Sequence, residues 1–226
     1  MKGMKYTLKR SNRRTCAIHI IGGSLEVRAP LHMPREAIDD FVHLKAPWIE
    51  DKLAESQKRL TEREAFALDY GETLSYRGKL LTIVARKGNK AGFTLEEFYL
   101  PHGLKPDRIK EVARQIYRLS AKKYILEKVI YYADLMNLKP KEVKINGAKT
   151  RWASCSAKGN LNFSWRLMMA HDDFIDYVVI HELAHLKEMN HSPRFWQVVE
   201  TYLPDYKERQ KGLKDLQKQL QKESWD

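Results

Sequence analysis

The sequence predicts an α+β fold, with a small β-rich N-terminal region at residues 1–100 and a more helical region at residues 101–226. Three observations point there. Strand-like alternation and turn residues dominate the first hundred positions. A long helical periodicity starts after Pro106. One almost wholly apolar helix near residue 180 carries the pattern His-Glu-x-x-His.

Taken in order, "TCAIHII" and "SLEVRAP" flank Gly22-Gly23 and predict a hairpin. After Pro34, the apolar positions Ile38, Phe41, Val42, Trp48, Ile49 and Leu53 suit an amphipathic helix, interrupted before Pro47. Short strands are expected around Gly78 and around a turn at 87–92. From 106 to 136 the spacing predicts one helix. Ile109, Val112, Ile116 and Tyr117 face a core, and Lys110, Arg114, Arg118 and Lys122 form a basic stripe. "KEVKI" reads as a short strand. In "KTRWASCSAKGNLNFSWRL", Leu161, Phe163 and Trp165 alternate with Asn160, Asn162 and Ser164, which predicts a strand with one apolar and one polar face. Asp173, with Asp176 three residues on, is expected to cap the helix carrying "DYVVIHELAHLKE". Further helices follow Pro193 and Pro204.

Composition narrows the function classes. The chain has 226 residues, 43% of them hydrophobic, which is enough for a sizeable core and argues against bulk disorder. The N-terminal segment is basic, with Lys2, Lys5, Lys9, Arg10, Arg13 and Arg14, but no apolar run follows it. No signal peptide and no membrane partner are expected, and the chain reads as a cytoplasmic monomer. Cys16 and Cys155 lie far apart, which fits reduced thiols, and Cys155 reads as a small packed residue rather than a nucleophile. The net charge of +12 permits nucleic acid or another polyanion as a partner, although a charged stripe is more often a solvated face.

The segment "VVIHELAHLKEMNHSPRFW" holds three of the eight histidines. On a helix, His181 and His185 stack on one face and can chelate one ion. Imidazole suits zinc, and a catalytic zinc has three protein ligands and an open position. Glu182 follows His181, and in the HExxH arrangement its carboxylate reaches the attacking water rather than the ion. The rest of this helix is apolar, so buried His, Glu and His need a reason to be there. A third ligand must come from beyond the helix. If the helix stops near Met189 with Asn190 in the turn, His191 folds back toward the ion. The spacing matches HExxHxxGxxH, with Glu188 in place of the glycine. The competing ligand is Glu200 on the following helix; His191 is preferred.

These residues resemble a known family. "TRWASCSAKGNLNFSWRL", "IDYVVIHELAHLKEMNHSPRFWQVVE" and "LPDYKER" look like the YgjP-like metallopeptidase-domain family, whose relatives include SprT-like and WLM-type zinc proteases. "VRAP", "APWIEDKL" and "GETLSYRGK" are weaker matches to its N-terminal and middle parts. The resemblance implies a zincin-like catalytic half with an HExxH active-site helix. It also implies one zinc per chain on His181, His185 and His191, with Glu182 catalytic. Two departures stand out: the family usually has Gly at the place of Ala153 and Pro at the place of His171.

The reading is therefore a zinc metallopeptidase acting on peptide or protein substrates. The 161–165 strand, with Asn162 and Phe163, is expected to be the sheet edge where an extended substrate adds. Two alternatives remain open. One is a polyanion-binding protein with a structural metal closed by a fourth ligand. The other is a zinc hydrolase of a non-peptide amide, sharing the same site.

Overall fold

The computed structural model describes residues 4–225, so Lys2 of the basic N-terminal cluster lies outside the described residues. The chain divides into two compact units, residues 4–66 with Gln221–Ser224, and Ala67–Leu220 with Trp225.

In the first unit, β1 (Thr7–Ser11), β2 (Ala17–Ile21) and β3 (Ser24–Pro30) form a sheet in the order β1-β3-β2. β2 and β3 make the hairpin predicted around Gly22-Gly23, and β1 runs parallel to β3. Two helices follow, α1 (Arg35–Leu44) and α2 (Ala46–Ala65). They separate at Lys45 because Pro47 has no N–H to donate and its ring would meet the carbonyl four residues back. Leu25, Val27 and Ala29 of the sheet pack with Ile38, Val42 and Ile49 of the helices to form the core. The basic N-terminal residues are partly neutralised in space. Lys9 pairs with Glu26 at 2.5 Å, and Arg10 donates to the carbonyls of Pro30, Leu31 and Met33.

The second unit opens with β4 (Thr73–Tyr76), β5 (Lys79–Arg86), β6 (Gly92–Phe93) and β7 (Glu97–Pro101), in the order β4-β5-β7-β6. Residue 101, where the sequence suggested a boundary, ends β7 inside this unit. These strands are tied to the helix that follows, α3 (Pro106–Leu135): Tyr76 and Phe93 stack at 3.9 Å between ring centroids, and both rings lie close to Tyr117 of α3. α3 buries Ile109, Ala113, Tyr117, Ala121, Ile125, Val129 and Ala133, a ridge with a repeat of four that suits helix packing. Val112 and Ile116, read as core, are only half-buried.

Next come β8 (Glu142–Asn146), β9 (Ala153–Cys155) and β10 (Asn160–Ser164), in the order β8-β10-β9. This order corrects the expectation that the 161–165 strand is a sheet edge. β10 is the central strand. Asn162 pairs with Lys144 on one side and Ser154 on the other, and Phe163 pairs with Ile145 and Ala153. Phe163 is fully buried. With both hydrogen-bonding sides occupied, no extended peptide can add to β10. Alternation identified the two faces of the strand, but a strand's edges depend on which neighbours it finds.

A 3-10 turn at Trp165–Met169 leads into α4 (Asp172–Ala184), followed by α5 (Pro193–Tyr202) and α6 (Tyr206–Leu220). The N-cap of α4 is His171, whose Nδ1 accepts from the Asp173 backbone N–H at 3.4 Å. Asp173, expected to be the cap, instead sits with Asp172 in the first turn, where negative charge favours the helix dipole. α4 touches α3, α5, α6 and β9, which explains why apolar residues surround it on every side. Among the described residues, no helix is long and apolar enough to cross a membrane.

The β4–β5 turn anchors the start of α4. Arg77 adopts a left-handed backbone, with φ of 49°. From there its guanidinium donates to both carboxylate oxygens of Asp172, at 2.7 and 2.5 Å, and to the Tyr124 hydroxyl at 3.0 Å. Gly78 beside it has φ of +76°, and a Cβ there would lie 2.9 Å from the His171 Cα and 2.7 Å from its ring. Gly78→Ala is expected to combine left-handed strain with a backbone clash. A loss of about 2–4 kcal/mol should appear in urea or thermal unfolding. Gly88→Ala is the control, because it shares the positive φ but has nothing within 4 Å. Equal losses in the two variants would show that contact with His171 contributes nothing.

Candidate metal centre

α4 delivers His181 and Glu182 from its last turn, and His185 follows as the C-cap, still with helical dihedrals of −63° and −18°. Positions 181 and 185 therefore keep the one-face relation of a helix. The chain then leaves the helix. The Leu186 and Lys187 N–H groups donate to the Leu183 and Ala184 carbonyls, tightening the last turn to i→i−3 bonds. This ends α4 earlier than the predicted stop near Met189. It also makes a left-handed residue unnecessary, and Asn190 is not among the residues with positive φ. The restart is as predicted: the Ser192 hydroxyl accepts from the Phe195 N–H at 3.4 Å, and Pro193 opens α5.

The break returns His191 to α4. One ring nitrogen from each of His181, His185 and His191 lies within 4.8 Å of the other two, and the Nε2 atoms of His181 and His191 are 3.0 Å apart. Such a group could hold a metal ion. Glu200, the competing ligand in the sequence, is exposed on α5 and stands outside the group.

The other ring nitrogens are also engaged. His185 Nδ1 lies 3.2 Å from the Glu188 carbonyl, an acceptor that requires the proton on Nδ1 and leaves the Nε2 lone pair free. The Tyr177 hydroxyl lies 3.5 Å from His181 Nδ1. Burial, reinforced by the neighbouring His185 and His191, pushes the His181 pKa down to about 3, so this ring is a neutral donor at pH 7. Burial likewise lowers His185.

Glu182 is 6% exposed, and its Oε2 has no hydrogen-bond partner. Burial pushes its carboxyl up to about 7, against the opposing field of Arg151. A buried carboxylate oxygen left unpaired is costly unless something polar comes to meet it. Three converging imidazoles, with this unpaired oxygen on the helix that carries two of them, fit a metal ion and its water. The Cys155 thiol is pushed up by burial and by the charge of Glu182, which agrees with reading it as a packed residue rather than a nucleophile.

Sequence reasoning missed the supports of this cluster. The buried Phe195 ring lies 4.9, 4.6 and 4.7 Å from the rings of His181, His185 and His191. Trp196 stacks on His191, and Tyr206 stacks on Trp196. Tyr177 was within reach of pattern reasoning, being four residues before His181 on the same helix face. Arg151 was not, because nothing in its local sequence aims it at Glu182.

The family match agrees with a metal-binding site. Residues 14–216 match the family model described as YgjP-like, metallopeptidase domain. No curated protein matches the chain. Two solved structures are similar over part of it. The metallopeptidase zymogen abylysin of Pyrococcus abyssi is 25% identical with a TM-score of 0.38, covering 44% of this chain and 98% of that one. The metallopeptidase zymogen jannalysin of Methanocaldococcus jannaschii is 25% identical with a TM-score of 0.37, covering 42% and 97%. On the extent of the family match, the chain belongs to the YgjP-like metallopeptidase-domain family, a group of metal-dependent hydrolases.

Proposed function

We propose that the chain is a zinc-dependent peptidase in which His181, His185 and His191 hold the ion and Glu182 is the general base. The observation that carries this reading is the convergence of three imidazoles, two of them from the helix end that also carries Glu182, whose buried Oε2 has no partner. An all-nitrogen donor set suits zinc, and three protein donors leave a position for water or substrate. When bound, zinc lowers the pKa of water toward neutrality and polarises the scissile carbonyl.

The chain's own residues supply the rest. Glu182 accepts the water's proton and passes it to the leaving amine. Tyr177 and the Glu188 carbonyl orient the His181 and His185 rings. Phe195 and Trp196 hold His191 in place. For an extended peptide substrate, the free edge is β9 rather than β10. β9 packs on α4, and its Cys155 lies within the field of Glu182.

Purified protein should carry about one zinc per chain by elemental analysis, and His185→Ala should lose most of it. The protein should also hydrolyse an unstructured protein substrate, with activity abolished by a zinc chelator and restored by zinc. Full zinc retention in His185→Ala, or hydrolysis indifferent to the chelator, would sink the proposal.

A further inference from the structure

We infer that the outward ridge of α3 pairs, antiparallel, with the same ridge of a second copy of this chain. The buried side of α3 repeats every four residues, and its opposite side keeps the same repeat. There Leu119, Lys123, Glu127 and Tyr131 follow one another along an exposed ridge, with Leu119 70% and Tyr131 61% exposed. Leu126 and Ile130, 41% and 61% exposed, lie on the adjoining ridge and wall the shallow groove between the two rows. Large apolar side chains exposed side by side on one helix mark an interaction surface rather than a solvated face.

The order of the side chains selects the occupant. Read along the ridge it is apolar, cation, anion, apolar. Turned end to end beside itself, that order is self-complementary. Leu119 meets Tyr131 of the second copy, Lys123 meets Glu127 of the second copy, and the two-fold axis repeats both contacts. When the i±4 ridges of two helices interdigitate, their axes cross at about −50°, which lays such ridges alongside each other. The charges also fix the register. Sliding the copy by one turn sets either Glu127 against Glu127 or Lys123 against Lys123, and a parallel in-register pairing does both.

Both charges are available for this. Among the described residues no hydrogen bond or ion pair holds Lys123 or Glu127, whereas the neighbouring Lys128 is paired with Asp176 at 2.7 Å. Lys before Glu is the weaker orientation for a pair four residues apart on one helix. A nucleic acid is disfavoured, because Glu127 stands in mid-ridge and would repel its phosphates. One helix pair is smaller than the roughly 1,200 Å² of a standard interface, so the dimer should be reversible, with a Kd of about 1–100 μM. Such a dimer departs from the monomer expected from the sequence, and it requires neither the metal nor peptidase activity.

Sedimentation velocity of the full chain, from about 2 to 200 μM, should show a monomer–dimer equilibrium within that range. Lys123→Glu and Glu127→Lys, each alone, set like charges face to face around the two-fold axis and should weaken association at least about tenfold. Mixed together, the two single variants should associate with each other. The double exchange, Lys123→Glu with Glu127→Lys, should restore self-association, since opposite charges again face each other. Leu119→Asp should weaken the dimer about tenfold. All three side chains are exposed, and melting temperatures within a few degrees of the parent would confirm intact folds. A monomer at every concentration, a dimer indifferent to the single reversals, or mixed variants that fail to associate would each overturn the inference.

Discussion

Glu182→Gln is expected to keep the fold and the metal while peptide hydrolysis falls by about 10²–10⁴-fold. The amide matches the carboxylate in shape, so the packing around this buried position is preserved. It cannot accept the proton of the attacking water. The same variant makes a second, independent prediction in metal-free protein. The Glu182 pKa rises from an ordinary 4.5 to about 7 on folding because burial disfavours the charged form. The folded state thus binds more protons than the unfolded one between those values. Its stability is undiminished below pH 4.5 and falls as pH rises toward 7. At roughly 1.4 kcal/mol per pH unit, the cost approaches about 3 kcal/mol above pH 7. Metal-free Glu182→Gln should therefore unfold at a higher temperature than the parent at pH 8 and at a similar one at pH 4. Turnover close to wild type would exclude Glu182 as the base, and a melting difference independent of pH would exclude the burial account of its pKa.

His191→Ala is expected to weaken metal affinity by at least about 10²-fold, while Glu200→Ala leaves it unchanged. His191 is the member of the triad that the helix does not supply. It reaches the cluster because α4 ends at Ala184 and α5 restarts at Pro193. It is exposed, so its removal should cost little fold stability beyond its stacking on Trp196. Competition with a chromogenic chelator separates the two effects: affinity should collapse in His191→Ala while the metal-free melting temperature moves by only a few degrees. Unchanged affinity in that variant, or a comparable loss in Glu200→Ala, would remove His191 from the proposed ligand set.

What could be read from the sequence was governed by near-neighbour geometry. The four-residue spacing of His181 and His185, the Gly22-Gly23 hairpin, the helix break before Pro47 and the Ser192-Pro193 restart all depend on dihedral preferences and spacings within a few residues. The HExxH helix was legible for a further reason, since polar groups in an otherwise apolar run require a purpose. Local reading failed where the outcome depended on distant partners. β10 looked like an edge until β8 and β9 paired with both its sides. α4 ended early because its final carbonyls found tight backbone donors, which no cap residue announces. Arg77 reaches Asp172 across 95 positions, and Arg151 acquires its field on Glu182 only when the sheet packs against α4. The sequence by itself determined which side chains could ligate a metal and on what local scaffold. Tertiary structure decided which strand is free, what steadies His191 and how strongly Glu182 is desolvated, because burial and pairing are properties of segments that meet only in the folded chain.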